Sequence, residues 1–217
     1  MTSIVSAVFG GYDTVRAPLP QSVPTTFTLL TDEWPVEPQG WDVVVPKKID
    51  VRHPRTVAKE PKLRPWNYSR GDGPWIWLDA SFEIISPLFV AEVLEAAGDA
   101  AIAQWRHPWR TCVYDEATAS AELLKYRDVP VLEQAAHYRS AVEHPVHWGL
   151  WATGLIVYRD RQDYLADHWW AEMRRWGYQD QISQPVALKA TGLRPRALEY
   201  ELHRNPWVKW HPHRDES

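Results

Sequence analysis

The stretch WIWLDASFEII, residues 75–85, decides how the rest of the chain is read. Its near-continuous apolar character is that of a strand buried on both faces, as in the sheets of α/β proteins. One acid, Asp79, interrupts it. At the carboxyl end of such a strand an acid sits where α/β sheets bind their ligands. If the strand continues, Asp79, Ser81 and Glu83 share one face. A carboxylate with a neighbouring oxygen can hold a hard divalent cation and bridge it to a phosphate. The same Asp can equally cap a strand-to-turn junction.

Outward from this stretch the chain alternates strands and helices. Residues 3–9 read as a first strand ending in Gly10-Gly11-Tyr12-Asp13, where paired glycines allow a sharp turn or a close backbone approach to a ligand. No G-x-G-x-x-G fingerprint follows. Residues 25–30 (followed by Thr31-Asp32) and 42–45 are two further strands. Downstream, Ser86-Pro87 opens a helix that Gly98 stops. A strand is expected over 100–105, helices over 115–127 and 131–142, and a buried strand over 149–158. An amphipathic helix over 162–176 ends at Gly177, and a shorter one over 180–189 begins at Asp180, either as its cap or as a presented carboxylate.

With 217 residues, 45% hydrophobic and 24% charged, the chain can build one sizeable core. A net charge of −4 argues against a generally cationic nucleic-acid binder. The lone cysteine, Cys112, excludes an internal disulfide and fits a reducing compartment. The first residues lack the length and charge of a secretory leader, and no stretch reaches membrane-span length, so a soluble cytoplasmic protein is expected. Fourteen tryptophans exceed ordinary usage. Most serve packing, but indole faces also suit bases and sugar rings.

One segment breaks the acidic balance. Lys47, Lys48, Arg52, Arg55, Lys59, Lys62, Arg64 and Arg70 stand against only Asp50 and Glu60. Phosphate is the natural partner of such an island, and a solvated surface is the plain alternative. The block from His107 to Glu116 is polar and aromatic in a way no core needs. The tail carries His203, His211 and His213, able to ligate a metal through neutral imidazole or to lie on the surface.

These motifs, in the order FGGYD, Lys59/Lys62, WLDAS, H-P-W-R-T-C-V-Y-D-E-A, G-L-I-V-Y-R and D-Q-I-S, resemble a known family. It is the glycosyltransferase-like domain family that includes plant mucilage-related proteins and many bacterial and phage members. The resemblance runs from about Phe9 to Ser183. It implies a single domain over 1–217 with the A-type glycosyltransferase fold, an α/β/α sandwich around a mixed, mostly parallel sheet. A nucleotide-binding half would span about 1–85 and a sugar and acceptor half the remainder. By that resemblance Phe9, Gly10, Gly11, Tyr12, Asp13 and Asp32 lie against the nucleotide, and Lys59, Lys62 and Arg64 face the diphosphate. Asp79, Ala80 and Ser81 occupy the Asp-x-Asp position. Asp180 and Gln181 are catalytic, while His107, Arg110 and Gly154 contact donor sugar or acceptor. Asp79 with His211 or His213, or with His203 as a third candidate, would hold Mn²⁺ or Mg²⁺, although Ser81 replaces the second Asp of the motif.

Such a protein would move a sugar from a nucleoside-diphosphate donor to a protein or glycan acceptor in a bacterial or phage-infected cell. The chemistry needs charge neutralised on the departing diphosphate and a carboxylate near the anomeric carbon. Two other classes remain open: a carbohydrate-binding module without catalysis, and a metal-dependent phosphohydrolase.

Overall fold

A computed structural model describes residues 1–32, 38–46 and 54–212. The main sheet is seven-stranded, in the order β3-β2-β1-β4-β7-β6-β8. Its members are β1 (Thr2–Val8), β2 (Thr25–Thr31), β3 (Asp42–Val44), β4 (Trp75–Leu78), β6 (Ile102–Gln104), β7 (Leu155–Tyr158) and β8 (Arg196–Ala197). β1 pairs in parallel with β2 and β4, β2 with β3, and β6 with β8. Only β7 runs against its neighbours. The sheet is therefore mixed and mostly parallel, as expected.

Helices cover both faces, and strand alternation sorts the side chains between them. Val5, Trp75, Trp77, Ile156 and Tyr158 pack on one face. Their partners come from α2 (Lys59–Leu63), which follows the short α1 (Pro54–Val57), from α6 (Asp163–Trp176), and from α7 (Asp180–Ala190). Ile4, Ile76, Leu78, Leu155 and Val157 pack on the other, against α3 (Phe89–Ala97). A third cluster joins α4 (Val113–Ala121) and α5 (Val131–Ser140) to Ile182 and Val186 of α7. Seven tryptophans, at 66, 75, 77, 105, 151, 169 and 207, are buried. Among the described residues no helix is long and apolar enough to cross a membrane.

The anchoring stretch divides where its acid lies. β4 stops at Leu78, and the Phe82 amide returns to the Asp79 carbonyl at 3.0 Å, closing a turn. β5 (Phe82–Ile84) then belongs to a second sheet, antiparallel to β9 (Val208–Trp210). Asp79, Ser81 and Glu83 thus do not line one strand face, because the chain turns between them. β7 is shorter than expected. Residues 105–107 and 150–152 instead form a two-stranded stem beyond the sheet, with the His107 amide on the Leu150 carbonyl and the Ala152 amide on the Trp105 carbonyl. The helix expected over 115–127 ends at Ala121, and a separate 3-10 turn follows at Leu124–Tyr126. β8 and β9 were not expected from the sequence.

Candidate active site

At the carboxyl edge of the parallel strands lies a cleft of about 250 Å³. β1 leads into it with Phe9, Tyr12 and Asp13, β4 with Asp79, Ala80 and Ser81, and the amino end of β7 with Thr153 and Gly154. Lys59 and Lys62 of α2 and Asp180 and Gln181 of α7 complete this wall. Gly10 and Gly11 both take left-handed backbone, with φ of 66° and 63°. The Gly10 amide donates to Asp32 Oδ2 at 2.8 Å. Asp32 and the two glycines therefore shape the turn that carries Tyr12 and Asp13, and do not themselves line the cleft. Gly154 lies under a close approach: a Cβ there would sit 2.7 Å from the Phe82 ring and 3.5 Å from Asp79 Oδ2.

The centre of the cleft is a line of four charges. Lys59 and Lys62 are three apart on α2, so they project from one side of the helix. Lys59 Nζ lies 2.9 Å and Lys62 Nζ 2.8 Å from Asp180 Oδ2, and Lys62 Nζ is also 3.0 Å from Asp79 Oδ1. Trp77 Nε1 donates to the same Asp79 oxygen at 2.6 Å, and its ring lies 5.5 Å from the Lys62 ammonium. A lysine side chain only 1% exposed is tolerated because two carboxylates and an indole face surround it. Burial opposes the charge of Asp180, yet Lys59 and Lys62 outweigh it and hold the carboxyl well below its usual range. Burial likewise opposes the Lys62 charge, and Asp180 and Asp79 override it, raising its pKa above that of a free lysine. Both groups stay ionised at neutral pH. Asp180 is the first residue of α7, and Gln179 is its cap, accepting from the Gln181 amide.

His107 and Arg110 do not line the cleft; both face Glu116. Arg110 Nε donates to Glu116 Oε2 at 2.5 Å, and His107 Nε2 lies 3.4 Å from the same oxygen. His107 Nδ1 accepts from the Trp109 and Arg110 amides, which leaves the ring proton on Nε2. Gln179 bonds Glu116 and Ser120, tying this buried network to the start of α7. Burial, then the charges of Arg110 and His203, push the His107 pKa down to about 4. The unfolded chain takes up this proton near the ordinary histidine value of 6.5, so the contribution is complete above that value and is lost as pH falls toward 4. We expect stability to drop by about 2–3 kcal/mol from this group between pH 7 and pH 4.5. His107→Gln should flatten that slope in urea unfolding, and an imidazole resonance titrating near 6.5 would refute the assignment.

Other expectations are redistributed. Arg64 turns away from the cleft to Asp167 at 2.5 Å and Glu60 at 3.7 Å on the outer surface. Arg70 is exposed, 3.9 Å from Asp42. Of the basic island, Arg55, Lys59 and Lys62 reach the cleft, while Lys47, Lys48, Asp50 and Arg52 fall outside the described residues, as does His213. His211 Nε2 sits 2.8 Å from Glu83 Oε2, and its amide bonds the Ser81 carbonyl. Neither His211 nor Glu83 lines the cleft.

Among the described residues, the side chains around Asp79 do not assemble a site for a resident divalent cation. One oxygen of that carboxylate already receives an ammonium and an indole N–H. Ser81 supplies no second carboxylate, and His211 is paired elsewhere. Among the described residues, three potential metal ligands converge only at Cys112, Asp115 and His147, none of which lines the cleft.

Sequence reasoning missed Trp77, Lys125, Tyr126 and Trp210, which line the cleft together with Tyr178, two residues before Asp180. Trp77 was accessible to it, since strand alternation places that side chain two residues from Asp79. The others come from distant segments joined only in the fold. Arg55 lies over the Tyr12 ring at 4.6 Å and over the Tyr178 ring at 5.7 Å, and Tyr178 bonds the Lys125 carbonyl at 2.7 Å.

The chain is thus a three-layer α/β protein with cationic and acidic groups at the carboxyl edge of its sheet, and it carries the H-P-W-R and D-Q-I-S motifs. The chain belongs to the TOD1/MUCI70 glycosyltransferase-like domain family, whose sequence model matches residues 39–192. No curated protein matches it significantly. Among solved structures, it is similar to the apo-form glycosyltransferase GlyE of Streptococcus pneumoniae TIGR4, with a TM-score of 0.46 and 11% identity over 91% of this chain and 44% of that one. A second GlyE structure gives 0.45 and 13% over 92% and 46%. The apo structure of the bifunctional WbbM gives 0.45 and 11% over 86% and 37%. The chain thus spans less than half the length of each of these structures.

Proposed function

We propose that this chain transfers a sugar from a nucleoside-diphosphate donor to a glycan or protein acceptor. The observation that carries this reading is the ion cluster of Lys59, Lys62, Asp180 and Asp79 at the carboxyl edge of β1 and β4. As the bond between the anomeric carbon and the diphosphate oxygen breaks, negative charge grows on the leaving group. Preorganised cations stabilise that charge without a reorganisation cost at the moment of reaction. Lys59 and Lys62 are held for this task by Asp180, while Phe9, Tyr12 and Asp13 border the nucleotide. The positive end of the eleven-residue α7 favours the same charge, with Gln181 beside it.

Asp180 is a poor proton acceptor, because two ammonium groups keep it ionised. Its role here is to fix the lysines. Asp79 Oδ2, on the cleft side of Gly154, is the carboxylate oxygen that meets donor hydroxyls. The ammonium groups take the charge-neutralising task that the sequence motif had assigned to Mn²⁺ or Mg²⁺, and no step here runs through a metal.

Thermal shift against UDP, GDP, ADP and CMP nucleotides and their sugars, with Mn²⁺ or with EDTA, tests this. One nucleoside diphosphate should raise the melting temperature and should do so in EDTA. Absence of a shift with every nucleotide would overturn the transferase reading; a shift that requires Mn²⁺ would overturn the lysine-based one.

A further inference from the structure

We propose that Trp109, His203 and Trp210 form a saccharide-binding ledge that extends the cleft and receives the acceptor. The inference rests on the transferase reading above, and supplies the acceptor side that the ion cluster leaves open. Trp109 is 71% exposed, more than any other described tryptophan among the exposed large hydrophobics. Its ring stacks on His203, with centroids 5.6 Å apart and planes 22° from parallel. His203 in turn meets the 40%-exposed Trp210 edge-on at 5.5 Å. Trp210 and the neighbouring Leu202 belong to the cleft lining. A continuous path of exposed rings therefore begins in the wall of the cleft and leads outward.

Two stretches of chain build this ledge, one around Trp109 and one running from His203 into β9. Trp109 follows His107, which the Glu116 network fixes and whose ring packs edge-on against Trp109 at 5.8 Å. Trp210 ends β9, paired with β5 directly after the Asp79 turn. His203 lies in the loop before β9 and bridges the two indoles. The rings are thus carried on ordered backbone rather than on a free tail.

Exposed aromatic surface next to a polar cleft marks a ligand site. The occupant is a sugar chain. Pyranose C–H faces stack on indole faces, while the indole N–H groups and the imidazole can meet hydroxyls. A second copy of this chain is a poor match. Three partly covered rings offer at most a few hundred Å², well short of the roughly 800 Å² per partner of a stable interface. The rims also carry polar groups, with Arg110 lying 5.9 Å from the Trp109 ring.

An array of immobilised neutral and acidic oligosaccharides, probed with the intact chain and with Trp109→Ala and His203→Ala, tests the proposal. It is run with the nucleoside diphosphate that gives the largest thermal shift, and again without it. The wild-type chain should be retained by one or more glycans, and Trp109→Ala should weaken that retention by at least about tenfold. The nucleotide-induced thermal shift of the variant should match wild type. Equal retention of Trp109→Ala, or no retention of wild type under either condition, overturns the ledge. A ledge that binds glycan in a chain that answers to no nucleotide would instead overturn the transferase reading and leave the ledge standing.

Discussion

Lys62→Met is expected to lower stability by about 3–5 kcal/mol and to remove transfer activity. The replacement keeps the length of the side chain and deletes its charge. Asp180, buried, would then keep Lys59 alone, and Asp79 Oδ1 would keep only the Trp77 indole. Removing one partner of a buried ion cluster leaves uncompensated charge, which costs more than the cluster contributes when complete. Urea unfolding gives the stability change, and nucleotide thermal shift reports the donor site. Lys62→Met combined with Asp180→Asn should be less damaging than the sum of the two single changes, because each removes the other's unmatched charge. A Lys62→Met protein with wild-type midpoint and wild-type nucleotide shift would refute the central place given to this lysine.

Asp180→Asn should leave the fold intact and cut turnover on the order of 100-fold, with a smaller loss of donor affinity. The amide can accept from one lysine but cannot hold two ammonium groups on one oxygen, so the cations lose their fixed positions while keeping their attraction for diphosphate. The acid limb of stability should change as well. The folded chain holds Asp180 below the ordinary aspartate value of 3.8, so the unfolded chain binds this proton more readily. Its contribution is present above that value and is lost as pH falls below it. The Asn variant should therefore be less stable at pH 7 and show a flatter decline below pH 4. Unchanged turnover would remove Asp180 from the machinery altogether.

β4 was legible because burial on both faces made it a continuous apolar run, and β1 and β2 because their apolar residues are interspersed with Thr and Ser, which suit a strand. The helices α3 and α6 carried their own stops in Gly98 and Gly177. β8 and β9 carried no such signature. Each is three residues or fewer, and its existence depends on a partner already in place, β6 for one and β5 for the other. The same distinction governs the site. Lys59, Lys62, Asp79 and Asp180 stood out as residue types suited to phosphate chemistry, and the fold joins them across more than a hundred residues of chain. What the sequence could not express is pairing. Nothing in the spacing of His107, Arg110 and Glu116 says that the first two would be consumed by the third. Arg64 likewise resembles its lysine neighbours until the turn of α2 sends it to Asp167.

The lone reversed strand, β7, has a consequence for how this fold can diversify. Because β6 leaves the sheet at the cleft edge and β7 enters there, residues 105–154 begin and end at the same rim, and the helices α4 and α5 between them carry a hydrophobic cluster of their own with α7. This excursion is anchored to the rest of the fold through Gln179, Ile182 and Val186. Substitution at its exposed positions would redraw the wall that holds Lys125 and Tyr126 and the outlying Trp109, while leaving the strand registers unaltered. Substitutions at its exposed positions can therefore change what the rim recognises, whereas its buried residues are bound to the folding of α7.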